Sequence, residues 1–225
     1  MNFLWAAIVI LCWIFAVWAA VRAHRVHRDA ITPLGQVSRG DDVSVEGIVE
    51  GPVSLHTIVG RRPAAMIDYE LTVLFRQSPT LSRRSREGTR IEFRDSSGAG
   101  VIEVDDQTLI EHRATIFREW KAADAPEEVR AMVPVDITED VTEIHLTESA
   151  IVVGDPIHVR GSAEVEVSAS GAARGYREEP ALVRLHTLEE VANLSRVSLF
   201  RRLRTEAAVL TIAGGVIGAL GWWVS

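Results

Sequence analysis

The sequence has 225 residues, 47% of them hydrophobic, and a formal charge of −7. That balance excludes a nucleic-acid-binding domain, which needs a net basic face. The one cysteine, Cys12, excludes an intrachain disulfide and a thiolate zinc site.

Phe3 to Val21 is nineteen residues without a charge, with Trp5 and Trp18 toward its two ends. About 20 apolar residues at ~1.5 Å rise cover a hydrocarbon core of ~30 Å, and tryptophan favours the headgroup layer. Residues 1–21 therefore predict a transmembrane helix. No basic residue precedes the run and arginine follows at once, which marks an uncleaved anchor and not a signal peptide. Residues 22–39 read as a basic juxtamembrane linker carrying Arg22, Arg25, Arg28 and Arg39. His24-x-x-His27 has no nearby carboxylate or cysteine to complete a metal set, so it reads as a polar interfacial pair.

Residues 40–185 read as one β-rich domain. Gly40-Asp-Asp-Val-Ser-Val-Glu-Gly47 and Gly154-Asp-Pro-Ile-His-Val-Arg-Gly161 share the pattern G-D-x-(V/I)-x-V-x-G. Each Gly-Asp reads as a turn, the alternation as a half-buried strand, and the second glycine as a bulge or a close backbone approach. The two read as equivalent strand entries within a barrel-like module. Ala65 to Phe75 alternates as a further strand. Thr89 to Arg94, the turn Asp95-Ser-Ser-Gly98 and Gly100 to Asp105 form a hairpin. Arg76 to Gly88, with Arg83, Arg84 and Arg86, reads as a mobile basic loop, and Pro126 to Met132 as a short helix ended before Pro134.

Residues 186–206 read as an amphipathic basic helix. Thr187-Leu-Glu-Glu190 fits a capping box, and Leu188, Val191, Leu194, Val197, Leu199 and Leu203 recur among Arg196, Arg201, Arg202 and Arg204. Such a helix lies on a membrane surface or packs on the barrel. Ala207 to Val224 is an uncharged run of eighteen residues, closed by Trp222 and Trp223, and predicts a second transmembrane helix over 207–224. Gly214, Gly218 and Gly221 give it a small face for another helix, the first being the natural partner. The fold class is thus mainly β, an OB-like or small β-barrel domain with a few helices, flanked by two transmembrane helices. Arginines crowd the inner flanks of both runs, so the positive-inside rule puts the domain in the cytoplasm and both termini outside a cell membrane. Arg22, Arg25, Arg28, Arg196, Arg201, Arg202 and Arg204 are the candidates for contact with anionic lipid.

Catalytic motifs are missing from this pattern. His145 and His158 sit singly on predicted strands, as surface or satisfied core positions. Asp41-Asp42, Asp105-Asp106, Glu178-Glu179 and Glu189-Glu190 suit turns and caps, because neighbours on a strand point to opposite faces. Asp95 to Gly100 is glycine-rich but leads into a strand, whereas a phosphate loop leads into a helix. No catalytic, cofactor-binding or metal-binding residue is assigned.

The order of pieces carries a resemblance. A membrane helix precedes Gly40-Asp-x-Val-x-Val-x-Gly47, a strand with Tyr69, and Glu92-Phe-Arg-Asp-x-x-Gly98 before a Val-rich strand. Glu148 stands six residues before the second Gly-Asp motif, and a Thr-Leu-Glu-Glu segment and a second membrane helix follow. Over nearly its whole length the chain resembles the GIDE family, also described by its "beside a membrane" (BAM) domain, whose eukaryotic members are mitochondrial membrane-anchored E3 ubiquitin ligases. Their activity resides in a RING, a Cys/His zinc module after the second membrane helix. Here only Ser225 follows Val224, and the lone cysteine lies in a membrane helix, so no ligase residue carries over. Met66-Ile67-Asp68 also stands where many relatives place a cysteine. The expectation is a two-pass membrane protein presenting a binding or scaffolding domain, with membrane lipids and a protein as partners and no cofactor. The alternatives are a ligase-like component dependent on a separate RING or conjugating protein, and a structural subunit of a membrane complex.

Overall fold

Val43, Val45 and Val49 are buried on one side of the first strand while Asp42, Ile48 and Glu50 are exposed, so a period of two decides what faces the core. The computed structural model describes residues 2–51, 53, 55–76, 80–133, 140–166 and 182–224. Its elements run α1 (Asn2–Arg28), β1 (Asp42–Gly51), β2 (Leu55–His56), β3 (Pro63–Phe75), β4 (Leu81–Glu87), β5 (Arg90–Arg94) and β6 (Ala99–Glu103). Then come β7 (Ile110–Glu111), β8 (Thr115–Lys121), α2 (Glu127–Ala131), β9 (Val141–Val152), β10 (Pro156–Glu166), β11 (Leu182–Ala192) and α3 (Arg196–Val224). The chain divides into two units, Met1–Ile31 with Ser195–Ser225, and Thr32–Leu194.

The Thr32–Leu194 unit is the expected β domain. Its strands follow the order β10-β1-β5-β6-β11, and β10 also pairs β11, which closes a five-stranded barrel. Ile91, Phe93, Ile102, Ile157, Val159 and Leu185 fill it at 0–1% exposure. A second sheet, β2-β3-β9-β8 with β4 on β3, forms a half-barrel. Leu71, Val73, Ile144 and Leu146 of that sheet pack against Val129 of α2 and Val133.

The two Gly-Asp motifs face each other. In the β1–β10 pair, Val45 lies opposite Val159, Val43 opposite Gly161 and Gly47 opposite Ile157, so equivalent positions are related by a local two-fold. Gly40 and Gly154 both take left-handed φ, 86° and 90°, which a side chain would strain. Asp41 accepts the Ser38 N–H at 3.0 Å as Asp155 accepts that of Val152 at 3.1 Å. The Gly40 N–H donates to Ala163 O as Gly154 donates to Val49 O, both at 2.8 Å. The closing glycines, Gly47 and Gly161, admit backbone: a Cβ on either would lie 2.8 Å from a carbonyl oxygen, of Arg94 and His186 respectively.

Three readings give way, while the strand over Ala65 to Phe75 and the two Gly-Asp strand entries hold as β3, β1 and β10. Arg76 to Gly88 is not all loop: Leu81–Glu87 forms β4, paired to β3 from Ile67–Glu87 to Val73–Leu81. It is an edge strand, where charge is favoured and an apolar alternation is not needed. Thr187 to Glu190 is not a helix start but lies inside β11, where Val191 pairs Val159. The register of β10 against β11 shifts between Arg160 and Ser162, and Thr187 takes a φ of 48°. That bulge spaces Leu188 and Val191 as a helix would. Glu189 binds Arg160 at 2.9 Å there. Residues 196–206 are instead the first turns of α3, which runs unbroken to Val224, and Ser195 caps it by accepting the Ser198 N–H at 3.4 Å. At the other end α1 continues beyond Val21 to Arg28, through the segment read as linker. The β5–β6 hairpin and the short helix α2 form as expected. Pro134, the strand end at Val167 and Glu178-Glu179 lie outside the described residues, as do the side chains of Trp222 and Trp223.

Candidate functional site

The helices α1 and α3 form an antiparallel hairpin through a seam of small residues. Ala16, Ala19 and Ala23 are 2–4% exposed, Val26 is 2% exposed, and Leu199 and Leu203 of α3 are fully buried. A Cβ added at Gly214 would lie 3.2 Å from Cys12 Cβ, one at Gly218 3.8 Å from Val9, and one at Gly221 3.3 Å from Trp5 Cβ. All three glycines therefore face α1, while Gly215 meets open space. Trp5, Val9, Cys12, Ala16, Ala19, Ala23 and Val26 recur at alternating steps of four and three, the spacing of a helix–helix seam. The outer faces are apolar and bare: Leu4, Ile10, Ile14, Val17, Val209, Ile212 and Val216 are all more than half exposed. Both helices are long and apolar enough to cross a membrane.

The arginines gather at one end of that hairpin. Arg196 donates to the carbonyls of Val26 (2.9 Å) and His27, capping the negative end of α1. Arg22 lies over the Trp18 ring at 5.4 Å, and Arg202 binds Glu206 at 3.1 Å. His27 stacks on Phe200 at 4.9 Å. Arg25, Arg28, Arg201 and Arg204 are exposed, and Arg39 belongs to the β domain, 3.4 Å from Glu164.

Within the β domain lies a polar cavity of about 290 Å³, lined by Thr57, Val59, Arg62, Arg113, Glu148, Asp155 and Asn193 among others. Glu148 is 1% exposed because it takes the inward position after Ile144 and Leu146 on β9. Its Oε2 accepts the Val59 N–H at 2.9 Å, and the Ile58 N–H contributes. Burial nonetheless pushes its carboxyl above the usual carboxylate range, overcoming those hydrogen bonds. Asn193, also 1% exposed, donates Nδ2–H to Ala150 O (3.0 Å) and Asp155 Oδ2 (3.1 Å). Its Oδ1 is buried with no hydrogen-bond partner among the described residues. Arg113 reaches Asp155 Oδ1 at 3.7 Å, and both Arg62 and Arg113 are exposed. Sequence reasoning placed Glu148 and Asp155 only in a motif order and missed Asn193, Arg62 and Arg113. One signal was present: Ile144-x-Leu146-x-Glu148 puts a carboxylate on the apolar face of a strand.

Other polar clusters complete the domain. Arg86 Nε and Nη2 hold Asp68 in a fork at 2.8 and 2.9 Å, and His112 Nε2 lies 3.1 Å from the same carboxylate. Burial would raise Asp68, but the hydrogen bonds from His112 and Arg86 outweigh it and hold the carboxyl well below its usual range. On the outer face of the half-barrel, Glu119 opposes His145 across β8–β9, and Glu143 stands two residues along on the same face. Their donor atoms all lie within 4.8 Å of one another, a spacing that could hold a metal ion. His158 is buried, its Nε2 2.8 Å from Ser44 Oγ. No protein-family model matches the sequence, and no curated protein matches it.

Proposed function

We propose that the chain is a two-pass membrane protein whose β domain recognises a ligand or partner at the membrane surface. The observation that carries this reading is the hairpin itself: an inner seam of alanine and glycine, an outer surface of exposed Leu, Ile and Val, and arginines collected at one end. Exposed apolar area of that extent is costly in water and suits hydrocarbon. Arg25, Arg28, Arg201 and Arg204 would meet anionic headgroups, at on the order of 1 kcal/mol each. Only Asn193, Leu194 and Ser195 separate β11 from α3, so the domain belongs on the arginine side, which the positive-inside rule makes the cytoplasm. The resemblance to the GIDE family supports the same arrangement. Alkaline carbonate extraction of expressing cells tests it: the protein stays in the membrane pellet, and release into the supernatant would overturn the reading.

A further inference from the structure

We infer that the cavity lined by Glu148, Asp155 and Asn193 binds a small zwitterion, a primary ammonium with a carboxylate or phosphate a few bonds away. The inference rests on the binding-domain reading and names its ligand class.

The floor of the cavity is rich in acceptors and short of donors. Glu148 is buried with backbone N–H groups on its carboxylate and, among the described residues, no cationic partner. Asn193 commits both Nδ2–H donors to Ala150 O and Asp155 Oδ2, which leaves Oδ1 an acceptor with no donor among the described residues. A buried acceptor without a donor is unfavourable, and an ammonium group brings three donors and the charge that a buried carboxylate lacks. The rim is the reverse. Arg62 and Arg113 are exposed and line the same cavity, and Arg113 stays 3.7 Å from Asp155, too far for a strong bond. Those guanidinium groups suit the anionic end of the same molecule. The cavity, about 290 Å³, sits at the small end of ligand sites, which run roughly 300–1,000 Å³. An amino acid fits that chemistry, and so does an ethanolamine phosphate, free or as a lipid headgroup.

Calorimetric titration of the full chain in nanodiscs tests the assignment, with L-alanine and O-phosphoethanolamine as zwitterions, ethylamine as the cation alone and inorganic phosphate as the anion alone. At least one zwitterion binds more tightly than either half by about tenfold or more, the worth of one charged hydrogen bond. Preference for O-phosphoethanolamine points to a headgroup, and preference for L-alanine to a free amino acid. Glu148→Gln, which keeps an acceptor for the Val59 N–H, weakens the zwitterion at least about tenfold and leaves phosphate unchanged. Arg62→Ala with Arg113→Ala, both surface changes, weakens the zwitterion at least about tenfold and leaves ethylamine unchanged. Equal binding of halves and zwitterions, no effect of either variant, or no binding of any probe overturns the inference. Since extraction from membranes is scored separately, a protein that stays in the pellet yet binds no zwitterion refutes this inference alone.

Discussion

Two buried carboxylates in the β domain behave in opposite ways. Asp68 is held below its usual range by His112 and Arg86, so its folded pKa is lower than its unfolded value of about 3.9. It therefore contributes stability that is present above about pH 4 and lost as pH falls below it. Arg86 is 7% exposed, and Arg86→Ala would leave Asp68 buried without its fork, at a cost of about 3 kcal/mol, read as a fall in the urea midpoint at pH 7. Glu148 has its pKa raised by burial, so the sign reverses: its contribution is intact below about pH 4 and is lost as pH rises through the raised value. Glu148→Gln should match the wild type near pH 4 and gain on it as pH rises through the raised value, then hold that gain, in thermal denaturation. Equal pH profiles for the two proteins would show that Glu148 ionises without penalty. A carboxylate retained at such a cost is the ordinary signature of a binding or reactive site.

At the scale of elements, what the sequence discloses depends on whether the reason for an element is local. The two Gly-Asp motifs are legible because a left-handed glycine, an aspartate that caps its own turn and an alternating strand all leave marks within eight residues. Edge strand β4 is not legible, because its order comes from pairing with β3 and Leu81 is its one apolar residue. The end of β11 misleads for a different reason: a bulge set by its partner gives extended residues a helical spacing. The cavity was hidden because Glu148, Asp155 and Asn193 come from the middle of β9, a turn and the residue just after β11, and only the fold joins them. The helix seam shows both cases. Its glycines were visible on α3, whereas the matching four-three rhythm on α1 runs through alanine, which draws no notice in an apolar run. Two predictions follow from close approach. Gly161→Ala would push a methyl against His186 O, 2.8 Å away, and destabilise the barrel by about 1–3 kcal/mol in denaturant unfolding. Gly214→Cys would place a second Cβ 3.2 Å from that of Cys12, close to the ~3.5–4.5 Å of a disulfide. Mild oxidation of that variant in membranes should yield an intramolecular cross-link, seen as a shifted, monomeric band on a non-reducing gel. Cross-linked dimers in place of it would mean that the glycine face serves a second copy.

For the whole molecule, the proposed two-pass arrangement turns on which side of the membrane would carry the β domain. The hairpin brings α1's last turns and α3's first turns together, so the arginines of that region gather at one end of it and would meet the same headgroup layer in the proposed arrangement. They do not act equally. Arg196 is bound to α1 carbonyls and so ties the two helices together, whereas Arg202 pairs Glu206 and Arg22 lies over Trp18, each within its own helix. Arg25, Arg28, Arg201 and Arg204 are exposed, and orientation should depend chiefly on them. Leu109, 76% exposed in the β domain, gives a reporter: Leu109→Cys in a Cys12→Ala background carries one thiol. In intact cells an impermeant maleimide should leave that thiol unlabelled, and it should label fully once the membrane is opened. Replacing Arg25, Arg28, Arg201 and Arg204 with glutamine should make a fraction of the thiol reactive from outside, while Arg196→Gln should loosen the hairpin and leave the labelled side unchanged. Full labelling of the parent in intact cells would place the domain outside and would mean that these arginines do not set the orientation.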